Sequence, residues 1–236
     1  MNVCVINEIR KLNNYLEKRS KNDKEFFNTN IWYTSFNIGD NGFYIDDEIT
    51  YSNSFVLLHE LLHMSSYDRD NNIDGFTDKY GNGIGLTEGM TEYLVMKINY
   101  LDTPTTYYLE TFVTEVIMGI TDIESEYFRA DKIGLLKKIE IKHLMDELDI
   151  FYRYHILVDD FDTDIYNALV NNILTETLVI SSNNGCINLY NETKERYEKK
   201  KSFICNQRNH RTGSTEQKEV VIVRQYSAGY IGSYLY

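Results

Sequence analysis

FVLLHELLHMSS, residues 55–66, is an apolar stretch broken only by His59, Glu60, His63 and the closing serines. Ser52, Asn53 or Ser54 stands where a helix cap is wanted, and the leucines around the two histidines predict a helix that is largely buried. A helix turns once in about 3.6 residues, so positions 59 and 63 point the same way. Two imidazoles so placed converge on one metal ion about 2.0 Å from each nitrogen. Glu60, beside the first histidine, is then set to take a proton from water activated by the metal rather than to ligate it. A given window matches this His-Glu-x-x-His pattern by chance on the order of once in 30,000 to 40,000. The competing explanation is a buried helix with two satisfied core histidines.

Two histidines leave an ion under-coordinated, so a third ligand is expected. A three-histidine arrangement would need Gly at 66 and His at 69, but Ser66 and Arg69 stand there. The better candidate is Gly85-Leu86-Thr87-Glu88-Gly89-Met90-Thr91-Glu92-Tyr93-Leu94, where Thr87 reads as the cap of a second helix running to about Leu101. Glu88 and Glu92 lie one turn apart on one face. Acidic residues in a first turn are also what the helix dipole favours, so only their distance from the histidine pair makes them specific. Should Glu88 not ligate, Glu92 is the next choice.

His59-Glu60-x-x-His63 followed by Glu88-x-x-x-Glu92 resembles the thermolysin-like gluzincin pattern, and GLTEGMTEYL is similar to the glutamate helix of minigluzincins. The resemblance covers about residues 42–101. It implies an α+β, zincin-like metallopeptidase domain in which a small sheet packs on the active-site helix; beyond it, the periodicity of the residues predicts a mainly helical C-terminal half. The resemblance also implies Zn2+ held by His59, His63 and Glu88, with Glu92 behind His59. A ligating imidazole usually gives its other N–H to a carboxylate, which agrees with that placement of Glu92. It implies peptide or protein substrates, lying antiparallel to the edge of a strand within Gly42 to Tyr51. It also implies a Tyr or His donor for the carbonyl oxygen, for which Tyr80 is the first candidate and His143 and His155 are the others.

The chain has 236 residues, 36 acidic against 24 basic, for a formal charge of -12, a sign that repels nucleic acid and anionic lipid. Cys4, Cys186 and Cys205 form no CxxC pair, which points to a reducing compartment without a disulfide framework. The opening MNVCVINEIRKLNN is too short in apolar residues for a secretory signal, and no uncharged run reaches the ~20 residues of a membrane span. Cytoplasmic localisation is the resulting expectation. The oligomeric state has no signature in the sequence.

Val5, Ile9, Leu12 and Leu16 predict an opening amphipathic helix over residues 3–18. Strand formers at Ile31–Phe36 and Phe43–Asp46, around the turn residues Gly39–Gly42, predict a hairpin. YDRDNNIDGFTDKYGNGIG reads as a loop. Helical patterns follow near 105–120, 123–149 and 160–180. The expected division is a catalytic core over 1–101, a helical extension over 102–182 and a basic tail over 183–236. Residues 191–236 hold nine Lys or Arg against five Asp or Glu. Within the tail, ETKERYEKKK and QRNHRTGSTEQK read as solvated and loosely ordered, and Glu219–Val223 as a strand.

Asp70-x-Asn72-x-Asp74-Gly75 matches the opening of a calcium loop, with Asp68 and Asp78 nearby, but Gly81 replaces the closing glutamate. The alternatives there are calcium and a solvated turn. For the whole chain the alternatives are a zinc peptidase using Glu60 as general base and a catalytically silent zincin-fold binding or regulatory protein.

Overall fold

A computed structural model describes residues 3–16, 30–33, 43–45, 48–157 and 162–211. Helix α1 (Val3–Leu16) buries Val5, Ile9, Leu12 and Leu16 along one stripe, as their spacing predicts, and packs on the histidine helix α2 (Ser54–Ser66). Leu57, Leu58, Leu61 and Leu62 of α2 are fully buried, and every residue from 57 to 66 lies inside. A helix enclosed on all sides is held rigidly, and removing one of these leucine side chains costs roughly 2–5 kcal/mol.

Three short strands form a sheet of which β2 and β3 pack on α2: β1 (Asn30–Tyr33), β2 (Phe43–Ile45) and β3 (Glu48–Tyr51), in the order β1-β3-β2. β1 runs parallel to β3, with Ile31 opposite Ile49, and β2 runs antiparallel to it, with Tyr44 opposite Ile49. The expected hairpin of the Ile31 and Phe43 segments is therefore not formed. The antiparallel pair is β2 with β3. The reason lies in β3, whose alternate residues Ile49 and Tyr51 are buried; it takes the centre and is hydrogen-bonded on both edges. An extended peptide has no access to β3 itself, and within Gly42–Tyr51 the free edge among the described residues is that of β2. The turn expected at Gly39–Gly42 lies outside the described residues.

After α2 the chain does not run as a plain loop. β4 (Tyr67–Asp68) and β5 (Ile73–Asp74) form a small hairpin in which Tyr67 pairs Asp74. Helix α3 (Ile84–Ile98) then crosses between two later helices, α4 (Tyr108–Ile120) and α7 (Lys142–Leu157). Both crossings use glycine for close approach. A Cβ on Gly85 would come within 2.7 Å of the Leu148 carbonyl oxygen, and one on Gly89 within 2.4 Å of that of Glu110. The helix begins three residues before Thr87, which is no cap. Its hydroxyl instead accepts hydrogen bonds from the Phe76 N–H and the Thr77 hydroxyl, tying the segment after the hairpin to α3.

The second half is helical, as expected: α4, α5 (Glu124–Phe128), α6 (Lys132–Lys138), α7 and α8 (Thr163–Asn183). A further helix, α9 (Ile187–Arg211), takes in ETKERYEKKK. Tyr190, Thr193 and Tyr197 fall on one buried face, and both tyrosine rings meet Phe112 of α4 edge-on. Arg196 bonds the Glu115 carboxylate and the Asp102 carbonyl. The strand expected at Glu219–Val223 lies outside the described residues. One hydrophobic cluster extends from Val5 to Tyr197, giving a mostly helical α+β architecture with small sheets. Among the described residues no helix is long and apolar enough to cross a membrane.

Candidate metal centre

Asn53 caps α2, its side-chain oxygen accepting from the N–H groups of Phe55 at 2.9 Å and Val56 at 3.1 Å. From that fixed start the buried His59 and His63 stand one turn apart, their Nε2 atoms 3.1 Å from each other. Helix α3 brings Glu88 to meet them. Its Oε2 lies 3.1 Å from His59 Nε2 and 3.6 Å from His63 Nε2. Among the described residues these three form a group that could hold a metal ion. The separations suit one: at bonds of about 2.0–2.1 Å, tetrahedral ligand atoms sit about 3.3–3.4 Å apart. Two imidazole nitrogens and a carboxylate oxygen are also the donor mix that a borderline divalent cation takes.

Behind each histidine stands a carboxylate. His59 Nδ1 is 3.5 Å from Glu92 Oε2, and Glu92 Oε1 accepts from the Thr105 N–H, the Thr105 hydroxyl and the Thr106 N–H at 2.7, 2.8 and 3.2 Å. His63 Nδ1 is 2.9 Å from Asp74 Oδ2, whose partner oxygen accepts from the Ser66 hydroxyl at 2.9 Å. Such carboxylates fix ring orientation and tautomer, leaving Nε2 of both rings for the ion.

The role of Asp74 is missing from the sequence reading, which grouped it with Asp70 and Asn72 as the start of a calcium loop. The side chains of Asp74 and Asn72 have other partners. Asp74 turns inward to His63, Asn72 accepts from the Tyr67 hydroxyl at 2.8 Å, and Asp68 accepts from the Asp70 N–H at 3.1 Å. The strand pairing of Asp74 with Tyr67, four residues after His63, is what returns it to the helix.

The electrostatics follow from burial and charge. Burial pushes the His59 imidazole down, but its contacts with Glu88 and Glu92 more than reverse this and raise its pKa to about 9. For His63 the same cost of burial is overcome by Asp74 and Glu88, which hold it well above the usual range. Glu88 is held well below the usual carboxylate range: burial opposes its charge, and the two histidines overrule burial. Glu92 is lowered by His59 and by the Thr105 contacts against the same penalty. Glu60, also buried, moves the other way, since burial raises it more than the histidines lower it. The pocket therefore gathers four carboxyl groups, of Glu60, Asp74, Glu88 and Glu92, about two imidazoles. That excess of negative charge favours a dication over an empty site.

Tyr80 lies at the surface. Its side chain is exposed, beneath the Lys79 ammonium, and its N–H bonds Asp78. His143 is exposed beside Glu147, and His155 stacks on Phe151. The tyrosines at the centre are Tyr107 and Tyr152, which the sequence reading did not single out. Tyr107, in a left-handed conformation with φ 47°, lays its ring on His59 at 5.7 Å between centroids. Tyr152 of α7 stacks on Tyr107 at 6.1 Å and places its hydroxyl 3.5 Å from Glu88 Oε1. No local motif marks either residue; tertiary packing of α4 and α7 brings them in. Compared with known proteins, the chain matches no family model, no curated protein and no solved structure.

Proposed function

We propose that this chain is a zinc-dependent peptidase of the gluzincin type. The observation that carries the reading is the convergence of His59, His63 and Glu88 from two helices, with each imidazole backed by a carboxylate and Glu60 next to the first ligand. Zinc bound by the three would act as a Lewis acid, lowering the pKa of water toward ~7 and polarising a peptide carbonyl. The remaining work falls to side chains. Glu60, made more basic by burial, takes the proton of the attacking water and passes it to the leaving amine. Asp74 and Glu92 keep the rings turned so that Nε2 and not Nδ1 faces the reacting groups. Tyr152, whose hydroxyl already reaches Glu88, replaces Tyr80 as the donor nearest the carbonyl oxygen of a bound peptide. Substrate backbone would pair with the outer edge of β2 rather than with β3.

Elemental analysis of the purified chain should find one zinc per molecule, and a peptide library should be cleaved in a chelator-sensitive manner. Glu60→Gln should retain the metal and lose cleavage. Zinc binding without cleavage of any library peptide would favour the silent binding protein instead, and unchanged turnover by Glu60→Gln would remove it as the base.

A further inference from the structure

Helix α3 begins without a side-chain cap. Its N-cap residue is Gly83, at φ 97°, and no side chain of the helix's own start accepts the first N–H groups. The acceptor comes from α7. Asp149 Oδ2 takes the Gly83 N–H at 2.6 Å and Oδ1 takes the Gly85 N–H at 3.0 Å, so both oxygens of one buried carboxylate are committed to the start of α3. Its charge also faces the positive end of the helix dipole. Arg153, four residues on, donates to the Gly81 carbonyl at 3.0 Å and ties the preceding turn to the same helix.

The position of this attachment gives it its consequence. Glu88 is the fifth residue of α3, close enough to the start that fraying of the first turn would move it. A metal site tolerates displacements of only about 0.5 Å. One turn along α7 from Asp149, the Tyr152 hydroxyl meets the Glu88 carboxylate. The two helices thus touch at two levels, one fixing the backbone of α3 and the other its ligand side chain.

We infer that Asp149 is a positioning residue of the metal centre: by holding the start of α3 against α7 it sets where Glu88 stands relative to His59 and His63. The inference rests on the metal-site reading above. Its test uses the full chain, with Zn2+ affinity measured by competition against a chromophoric chelator and the visible spectrum of the Co2+ form as a report on ligand geometry. Asp149→Ala is expected to weaken Zn2+ binding by ~10–100-fold and to change the Co2+ bands. Asp149→Asn, which keeps a single acceptor for two N–H groups, should fall between Asp149→Ala and the wild type. Ile173→Ala, a core truncation on α8, should lower the melting temperature while leaving affinity and spectrum alone.

Asp149 variants that lose stability as Ile173→Ala does, yet keep wild-type affinity and Co2+ bands, would overturn the inference and leave the metal site standing. A wild-type chain that binds no metal would overturn both. If Asp149→Ala does not fold, the comparison of Asp149→Asn with Ile173→Ala decides by the same criteria.

Discussion

His59 and His63 are supported from behind in different ways. His63 leans at 2.9 Å on Asp74, which returns to the helix on the hairpin that directly follows it. His59 faces Glu92 at 3.5 Å, across to a different helix, and that carboxylate is itself fixed by Thr105 and Thr106. Among the described residues, one arrangement is close and local with a single outside donor, the Ser66 hydroxyl; the other is longer and assembled from afar with three. The difference shows that proximity in sequence and legibility in sequence are separate matters. Glu92 is found from its one-turn spacing to Glu88, because a helix fixes direction rigidly. Asp74 is nearer to its histidine in sequence but is hidden by a turn whose geometry the residues alone do not dictate.

The largest expected effect breaks both halves together. Glu88→Ala should weaken Zn2+ binding by more than the ~10–100-fold typical of residues behind the ligands, and abolish cleavage; chelator competition and peptide assays measure the two. A variant that still binds zinc like the wild type would show that another carboxylate ligates. Next come the two supports. Asp74→Ala and Glu92→Ala should each weaken Zn2+ by ~10–100-fold, with Asp74→Ala at the upper end because its contact is the shorter. If only Glu92→Ala has an effect, the local arm is a structural turn and the symmetry of the two supports is illusory.

The same distinction explains which parts of the fold were legible. The stripe Val5, Ile9, Leu12, Leu16 and a cap among Ser52, Asn53 and Ser54 are periodic or local signals; the stripe appears as expected, and the structure assigns the cap to Asn53. The start of α3 was misplaced because Gly83-Ile84-Gly85 reads as loop; its helical form depends on Asp149, far along the chain on α7. The β-pairing was misassigned because the choice between β1 and β2 as neighbour is made by burial of Ile49 and Tyr51 rather than by turn residues. Helix α9 was missed because a charged surface masks the Tyr190, Thr193, Tyr197 face, a helical spacing that was there to be read. At the site, His59, His63, Glu88 and Glu92 follow from spacing, whereas Tyr107 and Tyr152 have none to follow.

Packing on the His59 side also leaves an unbalanced group. Glu110 of α4 is buried, with one carboxyl oxygen lacking a hydrogen-bond partner among the described residues, and burial, aided by the charge of Glu88, pushes its pKa from 4.5 up to about 8. The folded chain therefore keeps a proton that the unfolded chain releases above its ordinary pKa. Stability from this group is full below pH 4.5, falls as the pH rises, and is lost by about pH 8. Glu110→Gln, neutral throughout, should gain on the wild type by on the order of 1–3 kcal/mol between pH 5 and 8. Denaturant unfolding across that range measures it, and parallel pH slopes for the two proteins would mean that Glu110 ionises normally.

The smallest effect separates the two supports most finely. Among the described residues Ser66 is the single donor to the far oxygen of Asp74, so Ser66→Ala frees that carboxylate to rotate away from His63. At about 0.5–1.5 kcal/mol for one hydrogen bond, Zn2+ affinity should fall by roughly 2- to 10-fold. Thr105→Val removes only the hydroxyl donor to Glu92 and leaves the backbone N–H groups of Thr105 and Thr106 in place, so its effect should be smaller still. The order matters more than either size. A larger loss in Thr105→Val than in Ser66→Ala would mean that the hydroxyl carries the Glu92 support and that the local arm keeps Asp74 oriented through His63 alone.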